Sequence, residues 1–302
     1  MIDLSLLRER VAQRLIDEGR SDLAEPLQEC GSVFELVCTS CGTPRAVSKS
    51  CKKRWCPSCA RQISASRLEK YQSAIDRMQW PMMVTLTMPH TMDTSCPSDV
   101  RKIKRALGKL RRLRWFKKKV KGGISSVEIT AGDNGWHPHA HLLIDCHWLS
   151  VDAKSPHHTW SRYRYKKAFR DARNEVAQQW QLCLQETKRL QVHISRARPE
   201  AAREVLKYAV KPQELADSPM PLAPLIDILR VSRLISAFGS VRASNLEALQ
   251  GQGEEDKQRY FCSCGCADFM PDFVLDKLLD DHRDMARKSR TVSFSSRPSL
   301  AH

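Results

Sequence analysis

Trp136-His137-Pro138-His139-Ala140-His141-Leu142-Leu143-Ile144 carries the densest chemistry of the 302-residue chain. Side chains alternate between faces along a β-strand, so His137, His139 and His141 project from one face. The apolar Leu142, Leu143 and Ile144 that follow suit a metal site beside a core, since neutral imidazole is the commonest side-chain metal ligand. Upstream runs Gly123-Ile-Ser-Ser-Val-Glu-Ile-Thr130, and Asn134-Gly135 lies between the two stretches. Asn-Gly between alternating runs is a strong hairpin signal. A turn centred on Asn134-Gly135 sets Glu128 opposite His141. Imidazoles and a carboxylate then hold a divalent ion with positions open for substrate oxygens. Exposed polar residues packed beside Trp136 are the plainer alternative; three alternating histidines with a facing Glu favour a metal.

Outward from this hairpin, residues 82–89 (MMVTLTMP) form a β-branched apolar run stopped by Pro89, and 191–195 (QVHIS) a further strand. Helical patterns occupy the first 30 or so residues, 60–77, 101–121, 161–189, a short stretch between Pro199 and Pro212, and an apolar segment around 225–238. The expected fold is α+β, an antiparallel central sheet bearing the histidines with helices on one face. An N-terminal zinc element and a C-terminal helical appendage complete it. The corresponding domains are an N-terminal helical segment at 1–35, a zinc-binding element with its following helix at 36–78, a catalytic domain at 79–212, and a helical region with a small Cys cluster at 213–302.

Fifty Lys and Arg against 34 Asp and Glu give a net charge of +16, which points to a polyanionic partner. No stretch approaches the roughly 18 consecutive apolar residues of a membrane span, and the N-terminus lacks a signal peptide's apolar core. No membrane partner is therefore expected, and the expected place is the cytoplasm, where the 12 Cys stay reduced. Cys38-x2-Cys41 and Cys56-x2-Cys59 match a four-cysteine zinc ribbon, with Cys51 a fifth candidate. A full thiolate shell leaves no room for substrate, so this Zn2+ reads as structural. Cys262, Cys264 and Cys266 form a weaker second cluster, and Cys30, Cys96, Cys146 and Cys183 read as buried or incidental.

Residues 101–121 contain 12 Lys or Arg and no acidic residue. Ile103, Leu107, Leu110, Leu113, Phe116 and Val120 recur at helical spacing, an apolar stripe with a cationic outer face. Lys102, Arg105, Lys109, Arg112, Lys117 and Lys118 are the DNA-contacting candidates, joined by Arg162 and Arg164 of the next basic stretch. Tyr163 and Tyr165 there could stack on unpaired bases.

Between Pro199 and Pro212, Glu204 and Tyr208 stand at i and i+4 of a helix, Lys211 continues their face and Lys207 sits beside Glu204. A phenol with a pKa of about 10 is a weak nucleophile at neutral pH unless a metal polarises its target. Alone, this is an ordinary surface helix with ion pairs. Its meaning changes when it is joined to the histidine strand.

MVTLTMP, WHPHAHLLI and EVLKYAVK, in that order, resemble the three motifs of rolling-circle plasmid replication initiators. These belong to the endonuclease superfamily with the His-hydrophobic-His motif (HUH), whose fold is RRM- or palm-like; the type resembled is the single-tyrosine one with Glu-x-x-x-Tyr. The resemblance spans roughly residues 38–212. It implies that His139 and His141, with Glu128 or His137, hold Mg2+ or Mn2+ against a scissile phosphate. Tyr208 attacks, leaving a 5′-phosphotyrosine and a free 3′-OH. Glu204 activates water at termination, and Lys207 or Lys211 positions metal or phosphate. The partner is DNA, a plasmid double-strand origin that is single-stranded at the nick, with host helicase and polymerase implied by family analogy. A rolling-circle transposase shares this chemistry, though related enzymes carry two tyrosines where this chain has Glu204 and Tyr208. A non-enzymatic zinc-dependent DNA-binding regulator explains the cysteines and the charge but leaves the histidines and Tyr208 without a purpose.

Overall fold

The computed structural model describes residues 3–89, 96–132, 135–146, 161–188, 190–207, 209–242 and 269–271. In chain order it begins with helices α1 (Leu4–Asp17), its N-terminus capped by the Asp3 carboxylate at 2.8 Å from Ser5 N, and α2 (Ser21–Gln28). Strands β1 (Val33–Cys38) and β2 (Pro44–Ser48) follow, then helix α3 (Pro57–Asp76), which opens on proline because that position needs no N–H. Strand β3 (Pro81–Leu86), helices α4 (Cys96–Arg112) and α5 (Arg114–Lys119), and the long strands β4 (Gly122–Gly132) and β5 (Gly135–Asp145) come next. Helix α6 (Arg162–Leu184) is capped by the Ser161 hydroxyl, and strand β6 (Val192–Arg196) follows it. The rest comprises helices α7 (Ala201–Leu206), α8 (Pro212–Asp217) and α9 (Ala223–Val231), then strands β7 (Ile235–Gly239) and β8 (Phe269–Pro271).

The chain divides into two units, Met1–Gln28 with Lys52–Gly251, and Glu29–Cys51 with Gln252–His302. In the smaller unit β1 is the middle strand of an antiparallel sheet ordered β2-β1-β8. In the larger, five antiparallel strands run in the order β6-β3-β5-β4-β7, with the histidine strand β5 at the centre. The stretch expected to form one zinc-binding element at 36–78 is thus shared between units, with α3 in the larger.

Helices cover both faces of the large sheet, not one. Leu142 and Ile144 on one face of β5 and Leu143 on the other are all 1% exposed or less. Neighbours in sequence point opposite ways, so both faces must be covered, and each such side chain contributes on the order of 2 kcal/mol of burial. Ile124 and Leu143 pack under Tyr71 and Ala74 of α3, Met78 just after it, and Val205 and Leu206 of α7. The opposite face carries Met82, Val84, Leu86, Ala140 and Leu142, and α4, which packs on β5, and α6, which packs on β6, lie to that side.

Two further expectations are corrected. The segment after 213 is not solely an appendage, because β7 pairs with β4 as the edge strand of the histidine sheet, Gly122 opposite Gly239 and Ser126 opposite Ile235. The basic helix is broken, since Leu113 adopts φ −56 and ψ 134 between α4 and α5. The bend lets Phe116 and Val120 stay buried although the Leu113 side chain is only partly so.

Candidate active site

The β4–β5 register sets Glu128 opposite His139 and Ser126 opposite His141, with Gly132 facing Gly135. The two-residue connection therefore falls at 133–134, one position earlier than Asn134-Gly135, and Asn134 itself lies outside the described residues. Glu128 still reaches His141, but on the diagonal: His141 Nε2 lies 2.9 Å from Glu128 Oε2. Diagonal neighbours on one face of an antiparallel pair are within reach of long side chains. On the other flank the Thr85 hydroxyl, opposite His141 on β3, lies 3.2 Å from His141 Nδ1. The imidazole is thereby oriented through both nitrogens, with Nε2 toward the carboxylate.

Glu128 is 6% exposed, and its second oxygen lies 3.0 Å from Lys207 Nζ. Lys207 also contacts Glu204 at 2.5 Å. Glu128, His141 and Glu204 lie with their ligand atoms within 4.8 Å of one another, a group that could hold a metal ion. Burial alone would raise the Glu128 carboxyl, but hydrogen bonds from His141 and Lys207 and the Lys207 charge outweigh it and bring it down to about 2. Burial pulls Lys207 down, yet its contacts with Glu204 and Glu128 leave it raised. Burial, reinforced by His141, lowers His139 and favours the neutral ring, the form that binds metals.

His139 lies on the same face but is not in the three-residue group; its ring stacks on His137 with centroids 6.4 Å apart. His137 in turn lies over Gly132, where an added Cβ would come 2.6 Å from its Nε2.

The helix expected between Pro199 and Pro212 is short. It stops at Leu206, and Lys207 is extended at φ −62 and ψ −169. The cause lies on β4, whose outer edge continues past the end of β7 with N–H groups that need acceptors. Val127 N donates to Leu234 O at 2.9 Å, Ile129 N to Ala209 O at 2.7 Å, and Ala131 N to the Glu214 carboxylate at 2.9 Å. Lys207 and Ala209 thus lie outside the helix and against β4. Lys211 is carried away from the Glu204 face and pairs with Glu214 at 3.3 Å. Tyr208 lies outside the described residues; its neighbours Lys207 and Ala209 contact β4 at Glu128 and Ile129 respectively.

Beside His139 opens a cavity of about 860 Å3, bordered by Thr85, Arg170, Arg173, Asn174 and His193 among others. Sequence reading missed these residues. His193 was legible only as a strand residue, and register aligns it with Thr85, which aligns with His141. Arg170 and Arg173 are brought in by the packing of α6 on β6.

Of the basic candidates, Arg105, Lys109, Arg112, Lys117, Lys118 and Arg164 are exposed, whereas Lys102 is half-buried against Glu186. The side chain of Arg162 lies outside the described ones. Among the cysteines of the larger unit, Cys56 and Cys59 lie buried at the start of α3; in the smaller unit Cys30 is buried and Cys51 partly so. Cys38 is buried at the end of β1, and Cys41 is exposed. Cys96, Cys146 and Cys183 are buried, and Cys262, Cys264 and Cys266 lie outside the described residues.

A family profile described as replication protein matches residues 45–261, well over half of the chain. The chain belongs to the Rep_1 family of replication proteins. Among curated proteins it is similar to "Protein rep" of Lentilactobacillus hilgardii, 30% identical over 40% of this chain and 41% of that protein. It is also similar to "Protein rep" of Staphylococcus aureus, 25% identical over 45% of this chain and 62% of that protein. The matches thus span less than two thirds of these relatives. No solved structure matches. Among the described residues of this Rep_1 chain, no helix is long and apolar enough to cross a membrane.

Proposed function

We propose that this replication protein initiates rolling-circle replication of a plasmid by nicking one strand of the origin through Tyr208. The observation that carries the reading is the convergence of Glu128, His141, Glu204 and Lys207, with Lys207 and Ala209, the neighbours of position 208, both held to β4. The reading also rests on the resemblance of the three motifs to HUH initiators. Membership of a replication protein family favours it over a rolling-circle transposase. A DNA-binding regulator without activity would leave a buried, polarised Glu128–His141 pair without use.

The Tyr208 phenol gives up its proton as its oxygen attacks the scissile phosphorus, the bond to the 3′ oxygen breaks, and that oxygen takes up a proton to become the 3′-OH. The new bond is a 5′-phosphotyrosine. The donor set suits a hard divalent ion, Mg2+ or Mn2+, held by Glu128 and His141 with His139 from the same face; when bound, it supplies polarisation of a phosphate oxygen. Thr85 keeps His141 oriented, and Lys207 brings a positive charge beside the developing phosphate charge. At termination Glu204 takes a proton from the water that attacks the phosphotyrosine, the bond from phosphorus to the Tyr208 oxygen breaks, and the departing phenolate regains a proton. The cavity beside His139 receives the flanking single strand, with Arg170 and Arg173 on its phosphates. The 3′-OH would prime a host polymerase, and a host helicase would open the duplex ahead of it. A structural Zn2+ suits the cysteine-rich stretch from Cys38 to Cys59, because thiolates are its preferred ligands.

The test uses a labelled single-stranded origin oligonucleotide with Mn2+. Wild type should yield a covalent adduct mapping to the peptide that carries residue 208, and Tyr208→Phe should yield none. An adduct retained by the Phe variant ends the assignment. Glu204→Ala should still nick but fail to terminate, which separates a base from a metal ligand.

A further inference from the structure

At the other end of β4 a second cavity of about 680 Å3 straddles the outer edge of β7. Six cationic side chains border it: Lys70 of α3, Arg111 of α4, Lys117 of α5, Lys121, and Arg233 and Arg242 on either side of β7. Among the described residues no carboxylate lines it. Phe116 and Phe238 contribute an apolar floor, and Arg111 lies over the Phe238 ring, 5.3 Å from its centroid, while donating to the Ser236 hydroxyl at 3.1 Å. Arg111 is only partly exposed, and its pKa is lowered by burial and then by neighbouring Arg112. Convergence of like charges around a partly desolvated guanidinium costs free energy that an anion would return.

We infer that this cleft binds the phosphate backbone of duplex DNA flanking the nick, a second nucleic-acid site separate from the Glu128–His141 centre. The inference deepens the replication reading, on which it rests for the identity of the polyanion. Edge strands do carry Lys and Arg to discourage edge-to-edge pairing. One or two cations suffice for that; here six arrive from α3, α4, α5, the residue before β4 and both flanks of β7. The outer backbone edge of β7 adds donors that phosphates accept.

The spacing has a consequence. Phe238 pairs with Gly123, five residues along β4 from Glu128. At about 3.4 Å per residue that is roughly 17 Å. A duplex strand advances about 3.4 Å per nucleotide, so the contacted phosphates lie at least about five nucleotides from the cleaved bond.

The experiment compares the full chain with the triple variant Lys70→Gln, Arg233→Gln, Arg242→Gln, all three residues being exposed. Duplex origin DNA is titrated across a salt series, and phosphate-ethylation interference is mapped on the same duplex. The variant should lose about 10-fold or more in affinity near physiological salt. Its salt slope should fall by about 2.7, close to 0.9 per lost phosphate contact. Interference at the distant phosphates should vanish while interference next to the nick persists. Cleavage of a short oligonucleotide covering only the nick should not change. An unaltered slope and interference pattern overturns the proposal and leaves edge protection as the cations' role. Competition by tripolyphosphate with no distant interference overturns it too, in favour of a small polyanion. Binding needs no cleavage, so loss of the distant cluster without any adduct at residue 208 would sink the nicking reading and spare this cleft.

Discussion

The histidine strand and the tyrosine segment both carry chemistry, but their shapes have different origins. In β5 local alternation decides the outcome: His137, His139 and His141 share a face, β4 pairs along the whole strand, and β3 locks the register from Ala140 to Asp145. Between 199 and 212 local periodicity loses. The pattern asks for a helix through Lys211, yet α7 ends at Leu206 because β4 has an outer edge to satisfy. A strand's spacing can be read along the chain, whereas a hydrogen-bond debt on a distant strand cannot.

The largest effect should come from breaking the first region. Leu142→Ala removes a fully buried side chain beneath the histidines and should cost about 2–5 kcal/mol in denaturant unfolding. A smaller loss would mean that β5 is not the centre of the packed sheet. Thr85→Val keeps the shape but removes the oxygen next to His141 Nδ1. Mn2+ affinity measured by calorimetry should fall about 10–100-fold with stability little changed. Unaltered affinity would mean that Thr85 does not orient the ligand.

The second region is tested through its anchors. Glu214→Ala removes the acceptor for Ala131 N–H and should destabilise the chain by about 1–3 kcal/mol, read from the denaturant midpoint. A neutral result would show that β4 does not need this partner. The smallest effect belongs to Lys211→Ala. Its pair with Glu214 is half exposed, so stability should move by less than about 1 kcal/mol and nicking should stay intact. Lys207→Ala, by contrast, should lower nicking sharply, because Lys207 contacts Glu128 and Glu204 together. Equal losses in the two lysine variants would put the helical face through 211 back in play.

Much of the site was therefore legible. The alternation around His139 and His141, the hairpin with Glu128, and the proximity of Glu204 to Lys207 all follow from spacing of a few residues. The one-residue error in the turn moved Glu128 opposite His139, and side-chain reach restored its contact with His141. What stayed hidden depends on contacts across long sequence separations. Arg170, Arg173 and His193 meet His139 only through the fold. β7 joins the sheet although its short run, Ile235-Ser-Ala-Phe-Gly239, abuts an apolar helical pattern.

The central position of β5 also sets how its amides should exchange with deuterium. Its backbone groups are laddered to β3 and β4 at once, so their protons can leave only when the sheet opens as a whole. The Ile129 amide is tied instead to the single carbonyl of Ala209, and peeling back a few residues is enough to free it. Fast exchange at 129 beside slow exchange at 140–144 would mark an immobile floor beneath a detachable contact at Ala209.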